Sequence, residues 1–216
     1  MISRRMFIGA AASLAFAGPA LAALPVPVAD VLTFRIMRKG TRIGTHAVAF
    51  QKVGDALTVT INVEMLVKFG PIPIFRYTHR NIERWQGGEF ISMDAKADND
   101  GTPAFAIARR EDDGLLVEGS KATRYIAPPN ALAATHWNVS ELFVPMINPE
   151  NGKLLAPQIT DKGIAPFSLA TGKVIRAQHY TWREEEALDL WYDSDKTWVG
   201  LNFQAKDGSV VEYERL

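Results

Sequence analysis

Cysteine is absent from this chain of 216 residues, and its absence excludes several kinds of site. Without thiols the protein forms no disulfides, uses no cysteine nucleophile and builds no zinc–thiolate centre. Net charge is absent as well, because 24 basic residues balance 24 acidic ones. An even balance argues against a nucleic-acid partner, which requires a basic face. Beyond the N-terminus no apolar run reaches the ~20 residues that span a bilayer, so no membrane span is expected there.

The N-terminus has the pattern of a secretory signal of the twin-arginine type. Arg4 and Arg5 precede a short apolar run at residues 8–17, and Ala20 and Ala22 are the small residues that a signal peptidase requires. The run is too short for a membrane anchor, although a paired arginine also suits the general secretory route. We predict a signal peptide at residues 1–22, an extended lead-in at 23–30, one domain at 31–216 and a periplasmic or secreted location.

Alternation of apolar and polar residues dominates the chain from residue 31 onward. In the segment 57–69 every odd position is apolar, which fits a half-buried strand and no helix. Turn residues at short intervals predict sequential hairpins. The predicted strands are 32–37, 42–51, 57–69, 74–86, 90–98, 103–110, 115–118, 122–127, 153–161, 166–170, 173–183, 187–193, 197–205 and 210–214.

These hairpins predict an all-β fold, in which a strongly curved antiparallel sheet forms a barrel or half-barrel. A two-sheet sandwich is the alternative. One or two short helices are also expected, because residues 138–147 lack alternation, Asn138 or Ser140 can cap a helix, and Glu141 suits its first turn.

One face of the predicted strand 74–86 is unusually polar. The opposite face carries three arginines and looks solvated, so this face should point inward. Buried polar side chains need partners. The face therefore predicts either a hydrogen-bond network that fixes the register of the sheet, or a cavity with a polar ligand in which His79 and Glu83 bind or transfer protons. Its members in the candidate site are Tyr77, His79, Asn81, Glu83 and Trp85.

Further candidates are histidines and aromatic residues elsewhere in the chain, which would be core residues or would line an apolar pocket. No two of the four histidines have close ligand spacing, so no metal site is expected. No nucleophile elbow, phosphate loop or dinucleotide fingerprint occurs, and no cofactor is expected. The additional candidates for ligand binding are His46, His136, Trp137, Tyr180 and Trp191.

Several motifs resemble those of a family of exported bacterial proteins of unknown function. They are Gly40-Thr41-Arg42-Ile43-Gly44-Thr45-His46, Tyr77-Thr78-His79 with Glu83-Arg84-Trp85, Thr135-His136-Trp137-Asn138, and Leu190-Trp191-Tyr192-Asp193 followed by Trp198, Phe203, Asp207-Gly208-Ser209 and Glu212-Tyr213. The resemblance covers most of the chain but implies no activity. By analogy its architecture is similar to lipid-carrier and lipocalin-like barrels, which does not establish function.

Together these features favour an exported binding protein for an apolar or amphipathic small molecule or a lipid. The apolar face of the segment 57–69 and the aromatic C-terminal strands motivate this hypothesis. One alternative is a cofactor-independent isomerase or hydrolase that uses His79 and Glu83 in the barrel interior. The other is a structural envelope protein whose outer surface binds a partner.

Overall fold

The computed structural model describes residues 24–184 and 186–216, so the predicted signal peptide lies outside the described residues. Within that part the chain forms sixteen strands and one short 3₁₀ helix, Val139–Phe143. The strands are β1 Val31–Arg38, β2 Thr41–Val53, β3 Ala56–Phe69, β4 Ile72–Gln86, β5 Glu89–Asn99, β6 Thr102–Glu111, β7 Gly114–Gly119, β8 Ala122–Ala127, β9 Leu132–Ala133, β10 Met146–Ile147, β11 Leu154–Leu155, β12 Gln158–Ser168, β13 Val174–Arg183, β14 Ala187–Tyr192, β15 Trp198–Gln204 and β16 Val210–Arg215.

The alternation in the sequence corresponds to the two faces of one large sheet. In β3, Leu57, Val59, Ile61 and Val63 are buried, whereas Glu64 on the other face is exposed. Because successive side chains of a strand point to opposite faces, this pattern places one face of the strand in the core. The all-β antiparallel prediction is confirmed.

Thirteen strands pair in the order β12-β13-β14-β15-β16-β1-β2-β3-β4-β5-β6-β7-β8. Every neighbouring pair is antiparallel, and the C-terminal β16 pairs with the N-terminal β1, with Ile36 opposite Tyr213. The two edges of the sheet are β8 and β12, which do not pair with each other in the described residues, so the sheet does not close into a barrel. The sandwich alternative is wrong, because these thirteen strands form one large sheet and not two packed sheets.

The chain between the two edges, residues 128–157, packs into the concave side of the sheet and is named the connecting segment here. It contains the small sheet β11-β10-β9. Its Trp137 packs against Phe50 of β2, at 5.3 Å between ring centroids, and its His136 packs near Trp182 of β13, at 6.1 Å. These two strands are far apart in the strand order, so the sheet curls around the segment.

Small residues on β5–β7 make room for the connecting segment. Ala95, Ala106 and Ala108 are fully buried on the inner face. A β-carbon added to Gly119 would lie 2.2 Å from the Asn151 carbonyl oxygen, so only glycine permits this approach of two backbones. The interior of the curved sheet is therefore filled mainly by the chain itself.

The prediction of one or two helices is wrong except for the 3₁₀ turn. The Asn138 side chain caps this turn by accepting a hydrogen bond from the Ser140 amide. The turn ends because Pro145 restricts the residue before it, and Val144 is accordingly extended, with φ −136° and ψ 165°. Residues 146–147 then form β10 instead of the predicted helical end.

Two strand predictions near the C-terminal half also need correction. The segments predicted as separate strands at 153–161 and 166–170 are mostly one strand, β12, which continues through a bulge between Asp161 and Gly163. Leu154 and Leu155 form the separate short β11. Upstream, the predicted lead-in has no strand before Val31, and its Leu24 and Val26 pack against the core. Among the described residues, no helix has the length and apolar character needed to cross a membrane.

Candidate functional site

A buried carboxylate, Glu83 of β4, lies at the centre of the sheet's concave side. Its side chain is fully inaccessible to solvent. Oε1 accepts hydrogen bonds from Thr135 Oγ1 at 2.7 Å and Asn81 Nδ2 at 3.3 Å. Oε2 accepts from Trp85 Nε1 and Trp137 Nε1, both at 3.0 Å. Asn81 and Trp85 reach it because residues two apart on a strand share a face.

Burial and hydrogen bonding have opposite effects on the pKa of Glu83. All four donors are neutral, so none supplies a compensating charge. Burial raises the pKa of Glu83 to about 7, although the bonds from Thr135, Trp85 and Trp137 act in the opposite direction. The nearby carboxylate Glu141 raises it further. A carboxyl with such a pKa changes its protonation near neutrality.

A second buried carboxylate, Glu141 of the 3₁₀ helix, orders the connecting segment. Its Oε2 accepts from the backbone amides of Thr135 and His136, at 3.0 and 2.9 Å, and its Oε1 lies 2.8 Å from His136 Nδ1. His136 has a φ of +69°, which is uncommon outside glycine, and Tyr192 Oη donates to its carbonyl at 3.0 Å. Thr135 therefore links both carboxylates, through its amide to Glu141 and its hydroxyl to Glu83.

Three buried polar atoms have no hydrogen-bond partner within residues 24–184 and 186–216. They are His46 Nε2, His79 Nε2 and Asn81 Oδ1. His46 of β2 and His79 of β4 both lie opposite Val63 of β3, so they stand in one row, about 10 Å apart across two strand spacings. Burial lowers the pKa of His46 to about 3 and also lowers that of His79, so both rings are neutral at neutral pH.

Next to this row, the inner face of the β3–β4 hairpin becomes apolar and half-buried. Met65 lies opposite Tyr77, and Val67 lies opposite Phe75. Tyr77 Oη donates to Glu150 of the connecting segment at 3.3 Å. We call these four residues, Met65, Val67, Phe75 and Tyr77, the hairpin inner face. We call the end of the curved sheet that carries these residues the open end, because its inward side chains are only half-buried.

The structure brings most of the predicted site residues together, in three groups. Asn81, Glu83, Trp85 and Trp137 form the buried network, with His136 beside it. His46, His79 and Tyr77 lie toward the open end. Tyr180 is half-buried against Phe143 and Tyr192, each at 6.0 Å.

Trp191 does not join the site. It lies on the outer face of β14, where it stacks on His179 at 4.6 Å. Thr135 and Glu141, which sequence reasoning did not select, belong to the network. The signal that could have found them is the polar motif at 135–138, inside a segment without strand alternation. Among the described residues, no group of three or more histidines or carboxylates could hold a metal ion.

Comparison with known proteins supports the fold. A solved structure is similar, the beta-barrel-like protein of the domain of unknown function DUF1849 from Brucella abortus, with a TM-score of 0.59 at 9% identity over 86% of this chain and 94% of that chain. No curated protein matches the chain. The model of a family described as a domain of unknown function, DUF6134, matches residues 34–216. The resemblance to a family of unknown function is thereby confirmed, and the chain belongs to the DUF6134 family.

Proposed function

We propose that this protein is an exported binding protein for an amphipathic small molecule, such as a single-chain lipid. The ligand lies at the open end of the curved sheet, against the hairpin inner face. The observation that carries the proposal is the change in character along β3 and β4. Buried polar atoms that have no partner among the described residues are followed, within a few residues, by half-buried apolar side chains. This order matches the polar and apolar parts of an amphipathic molecule.

The apolar part of the ligand packs on the hairpin inner face. Met65, Val67 and Phe75 are half-buried although they point to the same side as the fully enclosed core of β3 and β4. Apolar side chains at a concave opening gain free energy when a ligand removes them from water. Because the connecting segment fills the deeper interior, the ligand is small and bound near the surface.

The polar part of the ligand meets the row of His46 and His79. Their exposed fractions are 6% and 8%, whereas Asn81 and Glu83 are fully buried, so the histidines lie between the buried network and the half-buried hairpin inner face. A buried polar atom without a partner is costly, and a polar ligand group would satisfy His46 Nε2 and His79 Nε2, which have no partner among the described residues. Both atoms are covered by the chain itself, so this contact requires the side chains that cover them to move aside. Both rings are neutral there because burial lowers each pKa, which favours a hydroxyl or neutral polar group over a carboxylate.

Binding is favoured over the alternative of an isomerase or hydrolase that uses His79 and Glu83. A catalytic carboxyl must reach its substrate within hydrogen-bond distance. Glu83 is fully buried, and its two oxygens accept four hydrogen bonds from the chain's own residues. This arrangement suits a carboxyl that holds the connecting segment in place.

Native mass spectrometry tests the proposal on protein purified from cells and on delipidated protein reloaded with monoacylglycerol. The expected result is a bound species of matching mass in both preparations. Absence of any bound species from both would contradict the proposal.

A displacement assay with a fluorescent monoacylglycerol locates the site. Val67→Asn or Phe75→Asn is expected to weaken binding about tenfold, because each removes apolar contact with the chain of the probe. The control is Leu66→Asn, a half-buried residue of the same strand on the opposite face. Equal weakening by Leu66→Asn would place the ligand elsewhere.

A further inference from the structure

The pairing of β3 with β4 continues past the point where each of them stops pairing with its other neighbour. Pairing of β2 with β3 ends at Gly44 opposite Met65, and pairing of β4 with β5 ends at Tyr77 opposite Asn99. Residues 66–75 therefore pair only within the hairpin, whereas the Arg76 backbone still exchanges hydrogen bonds with Asp100 of the β5–β6 turn. From Met65 to Phe69 the hairpin projects about 13 Å past the last residue that pairs with β2.

The end of this projection is apolar and exposed. Phe69, Ile72 and Ile74 have exposed fractions of 77%, 61% and 56%. Scattered apolar residues on a surface are ordinary, but three such residues within six positions make the end of this hairpin apolar, and exposed apolar patches mark interaction sites. We call residues 69–74 the hairpin tip.

Within the end of the hairpin charge has one sign, and beside it Asp100 of the β5–β6 turn accepts a hydrogen bond from the Arg76 amide at 3.2 Å. Between residues 65 and 77 there is no acidic residue, and the two charged side chains are Lys68 and Arg76, both exposed. The chain as a whole is balanced and has no general attraction to anionic lipid, so any attraction must be local. An apolar end flanked by basic residues complements a membrane surface with anionic headgroups.

The tip is poorly suited to pairing with another strand. Pro71 and Pro73 lack the backbone N–H that an added strand would use, and proline on an exposed edge discourages edge-to-edge association. This chemistry favours lipid as the occupant over a second copy of the chain.

We propose that the hairpin tip inserts into the interface of an anionic lipid bilayer, with Lys68 and Arg76 at the level of the lipid phosphates. This surface is separate from the hairpin inner face. Docking there would place the open end of the sheet at the membrane surface, where amphipathic molecules enter or leave.

Vesicle flotation with the full chain purified after export tests this proposal. Wild-type protein is expected to float with vesicles of phosphatidylcholine and phosphatidylglycerol, and less with pure phosphatidylcholine vesicles. Phe69→Ser with Ile72→Ser should lower the bound fraction about tenfold, because both side chains lose their apolar contact with lipid. Lys68→Glu with Arg76→Glu should abolish the preference for phosphatidylglycerol.

The control is Val53→Ser with Ile164→Ser, whose side chains are comparably exposed, at 69% and 60%, on other hairpins. Lack of vesicle binding by the wild type, or equal loss in the control, would overturn the proposal. A tip variant that changes the mass by light scattering would also overturn it, because a second copy then covers the tip. Monoacylglycerol binding measured without vesicles separates this result from failure of the proposed function.

Discussion

Replacing Glu83 by glutamine should remove most of one pH dependence from the protein's stability. Glutamine has the shape of a protonated glutamate. Its oxygen can accept from the Trp85 and Trp137 indoles, where Glu83 Oε2 accepts now. Its amide can donate to the Thr135 hydroxyl and, if the Asn81 amide turns over, to Asn81 Oδ1, which is partnerless among the described residues. The substitution therefore keeps the network and removes only the charge.

The expected magnitude follows from the raised pKa of Glu83. Its pKa is about 7 in the folded protein against an ordinary value of 4.5. Below about pH 4.5 the carboxyl is protonated in both states and imposes no penalty on folding. As the pH rises through this interval, the unfolded chain releases its proton first, so the free energy of unfolding falls. Above about pH 7 the full loss is present, on the order of 3 kcal/mol.

Chemical denaturation of wild type and Glu83→Gln at about pH 5 and about pH 8 measures this effect. At about pH 8 the variant should be more stable by up to about 3 kcal/mol, which is about 8 °C in Tm for a domain of this size. The advantage should shrink at about pH 5. Glu64 is an exposed residue of β3, so Glu64→Gln is the control for removing one negative charge. It should leave the free energy of unfolding unchanged at both values of pH. If Glu83→Gln is less stable at both values of pH, the four hydrogen bonds outweigh burial and Glu83 is ionised throughout.

Two further substitutions test how the connecting segment is held. Gly119→Ala should destabilise the protein by about 2 kcal/mol, because the new methyl group meets the Asn151 carbonyl at 2.2 Å. Chemical denaturation measures this cost, with the exposed neighbour Glu118→Ala as the control. A cost no larger than that of the control would contradict the close approach of the two backbones. Thr135→Val keeps the backbone amide but removes the 2.7 Å donor to Glu83. It should cost about 2 kcal/mol at about pH 8 and less at about pH 5, and an equal cost at both would show that the charge of Glu83 does not change between them.

Most of the strands could be predicted because their residues alternate. In β3 and β4 the alternation runs over more than ten residues, and the tertiary fold leaves it intact. The errors come from features that interrupt alternation. The bulge at Gly163 made β12 look like two strands, and Pro145 ended a helix that the Asn138 cap had begun.

Closure of the sheet could not be predicted from the pattern, because it depends on what fills the interior. The alternation of apolar and polar residues in a strand is the same whether the sheet closes on itself or curls around another part of the chain. Here the connecting segment occupies the concave side, and β8 and β12 stay apart.

Residues on both sides of the candidate site were selected from the sequence, including Trp137, but their contacts with one another could not be predicted. The polar inner face of β4 follows from period-two alternation, so Asn81, Glu83 and Trp85 could be selected together. Their partners Thr135 and Trp137 lie 52 and 54 residues from Glu83. No local pattern connects segments so distant, and only the fold shows that they meet.

The central claim is that an amphipathic molecule binds the hairpin inner face. Photolabelling with a monoacylglycerol that carries a diazirine on its acyl chain, followed by peptide mapping, tests it most directly. We expect the label on residues 65–77, with Val67→Asn reducing it and Leu66→Asn leaving it unchanged. Label spread over the outer face, or label that excess unmodified monoacylglycerol fails to displace, would contradict the claim.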